Sequence, residues 1–475
     1  MSIKNPLSVI ILAAGKGTRM YSPLPKVLHP VAGIPMVSRV INAVNLAGAR
    51  EVRVVVGYGA KLVEQVVEPM GGTCFKQMQQ LGTADAVRSA QVESLQGTVL
   101  ILNGDHPLIT SKDIKAIVEE FHQSRSSLAV VTVKLKKPGK FGRIVRNGGQ
   151  IRAIVEAKDA SHETLKINEV NTGIYIVKAE LLNSLLPHVG NKNAQGEFYL
   201  TDIVSMAIDA GESVITIDIN KRVAFGVNSQ HELSQANRYC YKQKCLELMN
   251  KGVVILDPTN TYIEEGVDVG AASIIYPGVF LRGNTKVGEY CVVESQTVMV
   301  NTEISQGTVI HAMSHLEDCV IAEECFIGPY ARIRPGTVIE KRAKVGNFVE
   351  LKKVLFGEDS KASHLTYLGD AVVGKDVNIG CGTITCNYAA DKKKYKTEIG
   401  DGCFIGSDSQ FIAPVKVGKN AVVGSGSTIT KDVPDNALAV ARAKQFIKPN
   451  YVADKNKSEN AENSVKTESS PLKRS

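Results

Sequence analysis

The chain has 475 residues, a formal net charge of +8, 44% hydrophobic and 22% charged residues, nine cysteines and no tryptophan. That length exceeds what one hydrophobic core serves, so at least two domains are expected, in a folded chain without an apolar run long enough to span a bilayer. No signal-peptide pattern, C-x-x-C pair or aromatic stacking surface argues for export, a disulfide framework, a zinc site or single-strand binding, so a cytoplasmic protein acting on small molecules rather than nucleic acid is expected.

In chain order, the first half alternates strand and helix patterns. Strands are predicted at Leu7–Leu12, Glu51–Gly57, Thr98–Leu102 and Leu128–Leu135, and helices at Met36–Ala47, Ala84–Leu95 and Lys112–Gln123. This rhythm predicts a mostly parallel sheet covered by helices, with ligands beyond the carboxyl ends of its strands. Asn147-Gly148-Gly149 marks a hairpin between Arg143–Val145 and Ile151–Val155. A helix over Tyr199–Ala210 and strands within Ser213–Val227 follow. Gln230–Asn250, free of Gly and Pro, reads as one long linker helix, closing a first domain over 1–229.

From about Val253 helical periodicity gives way to β-branched residues six apart: Val269, Ile275, Leu281, Val287, Val293; Val298, Ile304, Ile310; Ile321 to Leu351; Ile399 to Ile429. Small or β-branched residues recur four places on, among them Ser273, Thr285, Cys325, Ala343, Ser409 and Ser427. A sustained period of six is the mark of a parallel β-helix of hexapeptide coils, here over 252–450. Cys291, Cys319, Cys325 and Cys403 fall in its small slots and read as packing thiols. The period breaks between Leu351 and Val373 and between Ile379 and Ile399. Both breaks are expected to be inserted loops, the first carrying Lys352, Lys353, His364 and Tyr367, the second Asn387, Tyr388 and Lys392–Lys394. Residues 451–475, poor in apolar groups, are expected to be a disordered tail.

Chemistry concentrates first at Leu12-Ala13-Ala14-Gly15-Lys16-Gly17-Thr18-Arg19-Met20, after strand one. It fits neither the P-loop nor the dinucleotide fingerprint. Glycines let amides approach an anion, Arg19 and Lys26 add positive charge, and Asp105 ends a neighbouring strand on the same expected edge. A lone carboxylate beside phosphates suits Mg²⁺. A nucleoside triphosphate site is one reading. A second is a glycine turn for tight packing, with Asp105 serving a helix N-cap, and a third is a different nucleotide-binding fold.

These residues also carry a resemblance. L-A-A-G-x-G-T-R-M with Pro25-Lys26, Gln80-Leu81-Gly82-Thr83-Ala84, Gly104-Asp105-x-Pro107, Phe141-Gly142-Arg143, Glu156-x-Lys158-Asp159 and Asn171-Thr172-Gly173 resemble the sugar-phosphate nucleotidyltransferases. With His364-Leu-Thr-Tyr367-Leu-Gly-Asp and Asn378-Ile-Gly-x-Gly-Thr-Ile-Thr-x-Asn387-Tyr388, the stretch from Val9 to Arg442 resembles the bifunctional bacterial family joining N-acetylglucosamine-1-phosphate uridyltransferase to glucosamine-1-phosphate acetyltransferase. The resemblance implies an α/β Rossmann-like nucleotidyltransferase domain followed by a left-handed β-helix. It implies Mg²⁺, UTP and acetyl-coenzyme A as cofactor and co-substrates, and a homotrimer assembled through the β-helix.

By the same resemblance Leu12, Ala13, Ala14, Gly15, Gln77, Gly82 and Thr83 would hold uridine and its ribose, with Asn103 and Gly104 beside them. Arg19 and Lys26 would stabilise phosphates, Asp105 and Asn228 would hold Mg²⁺, and Gly142, Glu156, Asn171 and Thr172 would grip the sugar. His364 would be the base of acetyl transfer, and histidine suits that work near neutral pH. Arg334, Lys352, Tyr367, Asn378 and Lys394 would bind the sugar phosphate. Cys381, Asn387, Tyr388, Ser407, Ser425 and Arg442 would line the acetyl-coenzyme A path. Arg332 and Lys353 are adjacent decoys, since strand alternation is expected to spare one of each pair. An ordinary helix cap remains a second reading for Asn228. Cys381 and Ser425 stand where the family has alanine, Asn103 where it often has tyrosine, and the Ala389–Lys393 stretch is one residue longer than the family's. A single-activity enzyme with an assembly rod, or a non-enzymatic scaffold, are the rival readings; the intact glycine turn and His364 oppose them.

Overall fold

A computed structural model of the chain describes residues 6–468. The backbone divides into two compact units, Met1–Met313 and Ser314–Ser475. The first therefore includes the early β-helix coils as well as the α/β domain.

The α/β domain is built on β1 (Leu7–Ala13), a small hairpin of β2 (Pro30–Val31) and β3 (Ile34–Pro35), β4 (Glu51–Val56), β5 (Thr73–Lys76), β6 (Thr98–Asn103), β7 (Leu128–Lys134), β8 (Arg143–Asn147), β9 (Gln150–Val155), β10 (Glu169–Lys178) and β11 (Val214–Asp218). The main sheet runs β11-β7-β10-β6-β1-β4-β5, with β8 paired to β10 and β9. β1 is parallel to β4 and β6, whereas β10 lies antiparallel between β6 and β7. Strand alternation splits β1 between two cores: Val9, Ile11 and Ala13 face one layer of helices, Ile10 and Leu12 the other.

The helices are α1 (Met36–Ala47), α2 (Ala60–Val67), α3 (Thr83–Ser89), α4 (Ser111–Ser124), α5 (His162–Leu165), α6 (Ala179–Leu185), α7 (Asp202–Asp209) and α8 (Gln230–Asn250). The predicted Ala84–Leu95 helix stops early because Gln91 turns left-handed at φ 53°. The helix expected over Tyr199–Ala210 begins only at Asp202, and only Val214–Asp218 of Ser213–Val227 is strand. Pattern reading passed over α2, β5, β10 and α6. Helix α8 packs Ala236 and Cys240 against Met20, Val31, Met36 and Leu108, so it completes the α/β core rather than bridging open space.

Beyond α8 both units are built of short parallel strands, the hexapeptide coils of a left-handed β-helix. In the first unit the inward columns are Ile255-Ile275-Val293-Ile310, Ile263-Leu281-Met299 and Val269-Val287-Ile304. Met299, not Val298, holds the inward place after Val293, and the coil then shortens by one residue before Ile304. In the second unit one column runs Ile327-Val345-Ala362-Ile379-Ile405-Val423. Cys291, Cys319, Cys325 and Cys403 are buried thiols outside any disulfide, as their slots predict.

The two period breaks have different physical origins. Between Leu351 and Val373 there is no inserted loop. Inward residues fall at Leu351, Phe356, Ala362, Leu368 and Val373, so two turns are each one residue short. The chain there forms two long bent strands, Lys344–Phe356 and Lys361–Val373, paired in parallel register with Asn347 opposite His364 and Glu350 opposite Tyr367. Between Thr385 and Ile399 the insertion is real: a loop closed by Ala389 N–H to the Lys393 carbonyl (3.0 Å) and Tyr395 N–H to the Asn387 carbonyl (2.8 Å). Where the sequence predicts a disordered tail, Tyr451–Glu468 is helical. Its described side chains are exposed and carry a Lys455–Glu459 pair four residues apart, so local helix propensity sets its conformation without burial. Residues 469–475 of the expected tail lie outside the described residues.

Candidate functional sites

In the first unit a cleft of about 350 Å³ opens at the carboxyl ends of β1 and β6, lined by Leu12–Gly15, Lys26, Gln77, Gln80, Gly82, Thr83, Asn103 and Asp105. It shares Leu12, Thr83 and Asn103 with a second hollow walled by His106, Gly142, Glu156, Asn171, Thr172 and Tyr175. Two glycines shape the first cleft. Gly17, at φ +63°, passes so close to Lys26 that a Cβ there would stand 2.6 Å from the Lys26 Cβ. Gly82, at φ +125°, leaves room for the Phe198 backbone, whose carbonyl accepts from Ala84 N–H at 2.9 Å. Gln77 donates to the Asp85 carboxylate (2.7 Å) and Gln80 to the Ala14 carbonyl (2.6 Å), fixing the wall opposite β1.

The Lys26 ammonium binds both the Asp105 carboxylate and, at 3.1 Å, Asn228 Oδ1. Two hard oxygen donors thus converge on one cation. The helix-cap readings of both residues fail: Thr110 with Asp113 caps α4, and Ser229 with Glu232 caps α8. Burial alone would raise the Asp105 carboxyl, but the Lys26 charge overcomes it and holds the group below the usual carboxylate range. Burial lowers His106, whose Nε2 lies 3.7 Å from Asp105 Oδ1, beyond hydrogen-bond reach. Arg19 is exposed and does not line the cleft.

In the second hollow, Asn171 donates to the buried Tyr175 hydroxyl (2.7 Å) and accepts from Gly173 N–H (2.9 Å), while Thr172 donates to the Val131 carbonyl (2.8 Å). The Gly142 carbonyl accepts from Asn171 N–H at 2.9 Å. Glu156 is pushed above the ordinary carboxylate range by burial and by the charges of Asp159, Asp202 and Glu197.

In the second unit the paired long strands set His364 beside Asn347, with His364 Nδ1 2.8 Å from Asn347 Oδ1. Because an amide oxygen only accepts, Nδ1 is the donor in this contact, which is the tautomer in which a neutral imidazole has its lone pair on Nε2. Nearby cations gather: Lys352 is pushed below the usual ammonium range by Lys394 first, then by Arg334. The lysine brought to Lys352 is Lys394, not Lys393. The decoy argument for Arg332 fails, because Arg332 and Arg334 are two residues apart and both face outward around buried Ile333. Arg332 pairs with Glu317 (2.7 Å) and Arg334 with Glu350 (2.8 Å). Lys353 is exposed at a corner with φ 52°.

Cys381, Ser407 and Ser425 stack one per coil, all exposed, tied by Asp408 N–H to the Cys381 carbonyl (2.7 Å) and Gly426 N–H to the Ser407 carbonyl (2.8 Å). Arg442 donates to the Ser425 carbonyl at 2.9 Å. Asn387 is buried and donates to Asp370 (2.5 Å), whereas Tyr388 and Asn378 are exposed. Sequence reading missed Asn347, Glu350, Asp370 and Glu197. The first and third were findable: each precedes its partner, His364 or Asn387, by one 17-residue coil.

A parallel-sheet cleft for a nucleotide in one unit and a histidine with clustered cations on hexapeptide coils in the other define a nucleotidyltransferase joined to a hexapeptide acyltransferase. Residues 9–164 match the MobA-like NTP transferase domain, and residues 318–353 and 396–431 match the bacterial transferase hexapeptide. A bifunctional protein GlmU from Bdellovibrio bacteriovorus is 58% identical over 94% of this chain and 98% of its own length. One from Trichlorobacter lovleyi is 45% identical over 94% and 98%, and one from Carboxydothermus hydrogenoformans 45% over 93% and 99%. The chain belongs to the bifunctional GlmU family. It is an enzyme of UDP-N-acetylglucosamine synthesis with two activities, acetylation of glucosamine 1-phosphate from acetyl-coenzyme A and uridyl transfer from UTP to N-acetylglucosamine 1-phosphate. Nucleotide and acetyl-coenzyme A substrates and use of a metal follow from that family. Among the described residues no helix is long and apolar enough to cross a membrane.

Proposed function

We propose that the two activities are divided between the residues above, with residues 1–229 serving uridyl transfer and the coils within 252–450 acetyl transfer. In the first, a phosphate oxygen of N-acetylglucosamine 1-phosphate attacks the UTP α-phosphorus, the bond to the bridging oxygen breaks, and pyrophosphate leaves. Leu12–Gly15, Gln77, Gly82 and Thr83 hold the nucleoside; Asn103, Gly104, Gly142, Glu156, Asn171 and Thr172 hold the sugar. Lys26 neutralises phosphate charge, and Arg19 reaches the phosphates from its exposed turn. Mg²⁺ on Asp105 and Asn228 would supply further neutralisation of phosphate oxygens; two oxygen ligands suit an ion that shares its shell with substrate and water. The observation that carries this assignment is the meeting of Asp105 and Asn228 on one ammonium.

In the second reaction the sugar amine attacks the thioester carbonyl, His364 Nε2 accepts the amine proton, and the coenzyme A thiolate leaves. Asn347 holds the imidazole in the tautomer this needs. Arg334, Lys352 and Lys394, with Tyr367 and Asn378, take the sugar phosphate. The Cys381-Ser407-Ser425 column with Asn387, Tyr388 and Arg442 takes the coenzyme. The enzyme works as a cytoplasmic homotrimer built through the β-helix, as closed symmetric packing of repeat rods favours.

The test is a coupled assay on the full chain. His364→Ala should abolish acetyl transfer and spare uridyl transfer, and Asp105→Asn should do the reverse. Loss of both activities in either folded variant contradicts the division.

A further inference from the structure

Between β6 and α4 the loop Gly104–Thr110, which bears Asp105, is held by its carbonyls from outside. The Asp105 carbonyl accepts from Val227 N–H (2.9 Å), that of Pro107 from Arg39 Nε (3.1 Å) and that of Leu108 from Arg222 Nη1 (2.7 Å). Arg222 is itself fixed by Asp113 (2.6 Å). Arg39, on α1, is fixed differently: its Nη1 reaches the Val31 carbonyl at 3.3 Å and the carboxylate of Glu265. Glu265 lies in the turn between two first-coil strands, Tyr262–Ile263 and Asp268–Val269. The Ala32 turn beside it is anchored to α8 through Asn237 Oδ1 (2.8 Å).

A guanidinium is rigid and planar, so whatever directs Nη1 also directs Nε. We infer that Glu265 and Arg39 are positioning residues that set the metal-binding Asp105 carboxylate through the Pro107 carbonyl, so that the first coil of the β-helix tunes uridyl transfer. The inference rests on Asp105 being a metal ligand. Glu265 is 53% exposed, so its ion pair adds little to stability and its positioning role can be separated from folding.

The experiment titrates Mn²⁺ alone into full-length enzyme, reading free Mn²⁺ by electron paramagnetic resonance, alongside the Mg²⁺ dependence of uridyl transfer. Glu265→Gln and Arg39→Lys are each expected to weaken Mn²⁺ binding about three- to tenfold and to raise the half-saturating Mg²⁺ by the same factor. A lysine keeps the ion pair but has no second nitrogen for Pro107. The double variant should be no worse than Arg39→Lys, with acetyl transfer and melting temperature unchanged. Wild-type Mn²⁺ affinity in Glu265→Gln, or additive losses in the double variant, overturns the relay. Asp105→Asn separates the two readings. If it too binds Mn²⁺ like the wild type, the metal assignment falls and the relay with it; if it alone loses Mn²⁺, only the relay falls.

Discussion

Replacing Lys26 by methionine probes the centre of the proposed uridyl-transfer site through stability instead of rate. Lys26 and Asp105 expose only 14% and 15% of their side chains, so the pair is not a screened surface contact. Removing one partner of such a buried pair costs about 3–5 kcal/mol, because the other charge stays buried without compensation. At about 2 °C per kcal/mol for a unit this large, the melting temperature should fall about 6–10 °C at pH 7. Lys26→Met with Asp105→Asn removes both charges and should recover most of the loss.

A divalent ion should substitute for the missing ammonium. At about 100 times its dissociation constant, Mg²⁺ returns about 2.7 kcal/mol to Lys26→Met. It should return less to the wild type, where it must displace Lys26. The pH dependence has a definite sign. In the wild type the Asp105 carboxyl is depressed, so its contribution is present above the ordinary carboxylate pKa and lost as pH falls through the lower folded value. In the variant, burial is opposed only by His106 and a backbone hydrogen bond, so the group rises relative to the wild type and the gap between the two proteins closes in acid. Scanning calorimetry with and without Mg²⁺ reads all three effects. Equal melting of variant and wild type, or a double variant as unstable as the single one, refutes the argument.

Four further outcomes are expected. Asn347→Ala frees the His364 ring and should cut acetyl-transfer kcat by up to about a hundredfold with little change in KM, in steady-state assays of thiol release. Lys394→Ala should raise KM for glucosamine 1-phosphate about tenfold through loss of a charge-assisted contact, while Lys393→Ala changes it less than about twofold. Phe411→Ala empties a fully buried position of the second unit and should cost about 3–5 kcal/mol in denaturant unfolding. Glu156→Gln removes a carboxylate whose folded pKa is raised, so it should be more stable than wild type above neutrality, with the advantage vanishing in acid, and should bind the sugar phosphate more weakly. Thermal melts across pH and KM values check the last.

The sequence made most of the architecture legible where one physical signal dominated. Apolar runs such as Val9–Ile11 and Val54–Val56 become strands because both faces of the sheet are covered, and α1 and α8 match their predicted limits because helical spacing there has no competing turn residue. The guide aliphatics of the coils are buried because a repeat of six returns each of them to the inner side of the coil, next to a small buried residue two places before. Errors arose where tertiary contacts override local pattern. Strand β10 carries Asn171 and Gly173, poor strand formers, and is fixed by pairing with β6 and β7 across a bulge. Gln91 breaks a helix that apolar spacing alone would continue.

The sites divide along the same line. At the β-helix, function follows from arithmetic: once a coil is 17 or 18 residues, the group opposite any side chain is one coil away, and a shortened turn marks where strands lengthen and bend. His364 meets Asn347, and Asn387 meets Asp370, at that spacing. What misled pattern reading was taking a deficit of residues for an insertion; a period lost by one residue twice leaves no chain for a loop, only longer strands. In the α/β domain no such arithmetic exists. Lys26, Asp105 and Asn228 come from three segments joined only by the sheet, and what places Lys26 is Gly17, whose missing side chain makes room for it. The glycine that matters most there thus serves the lysine first, and any phosphate contact of the turn depends on that packing being satisfied.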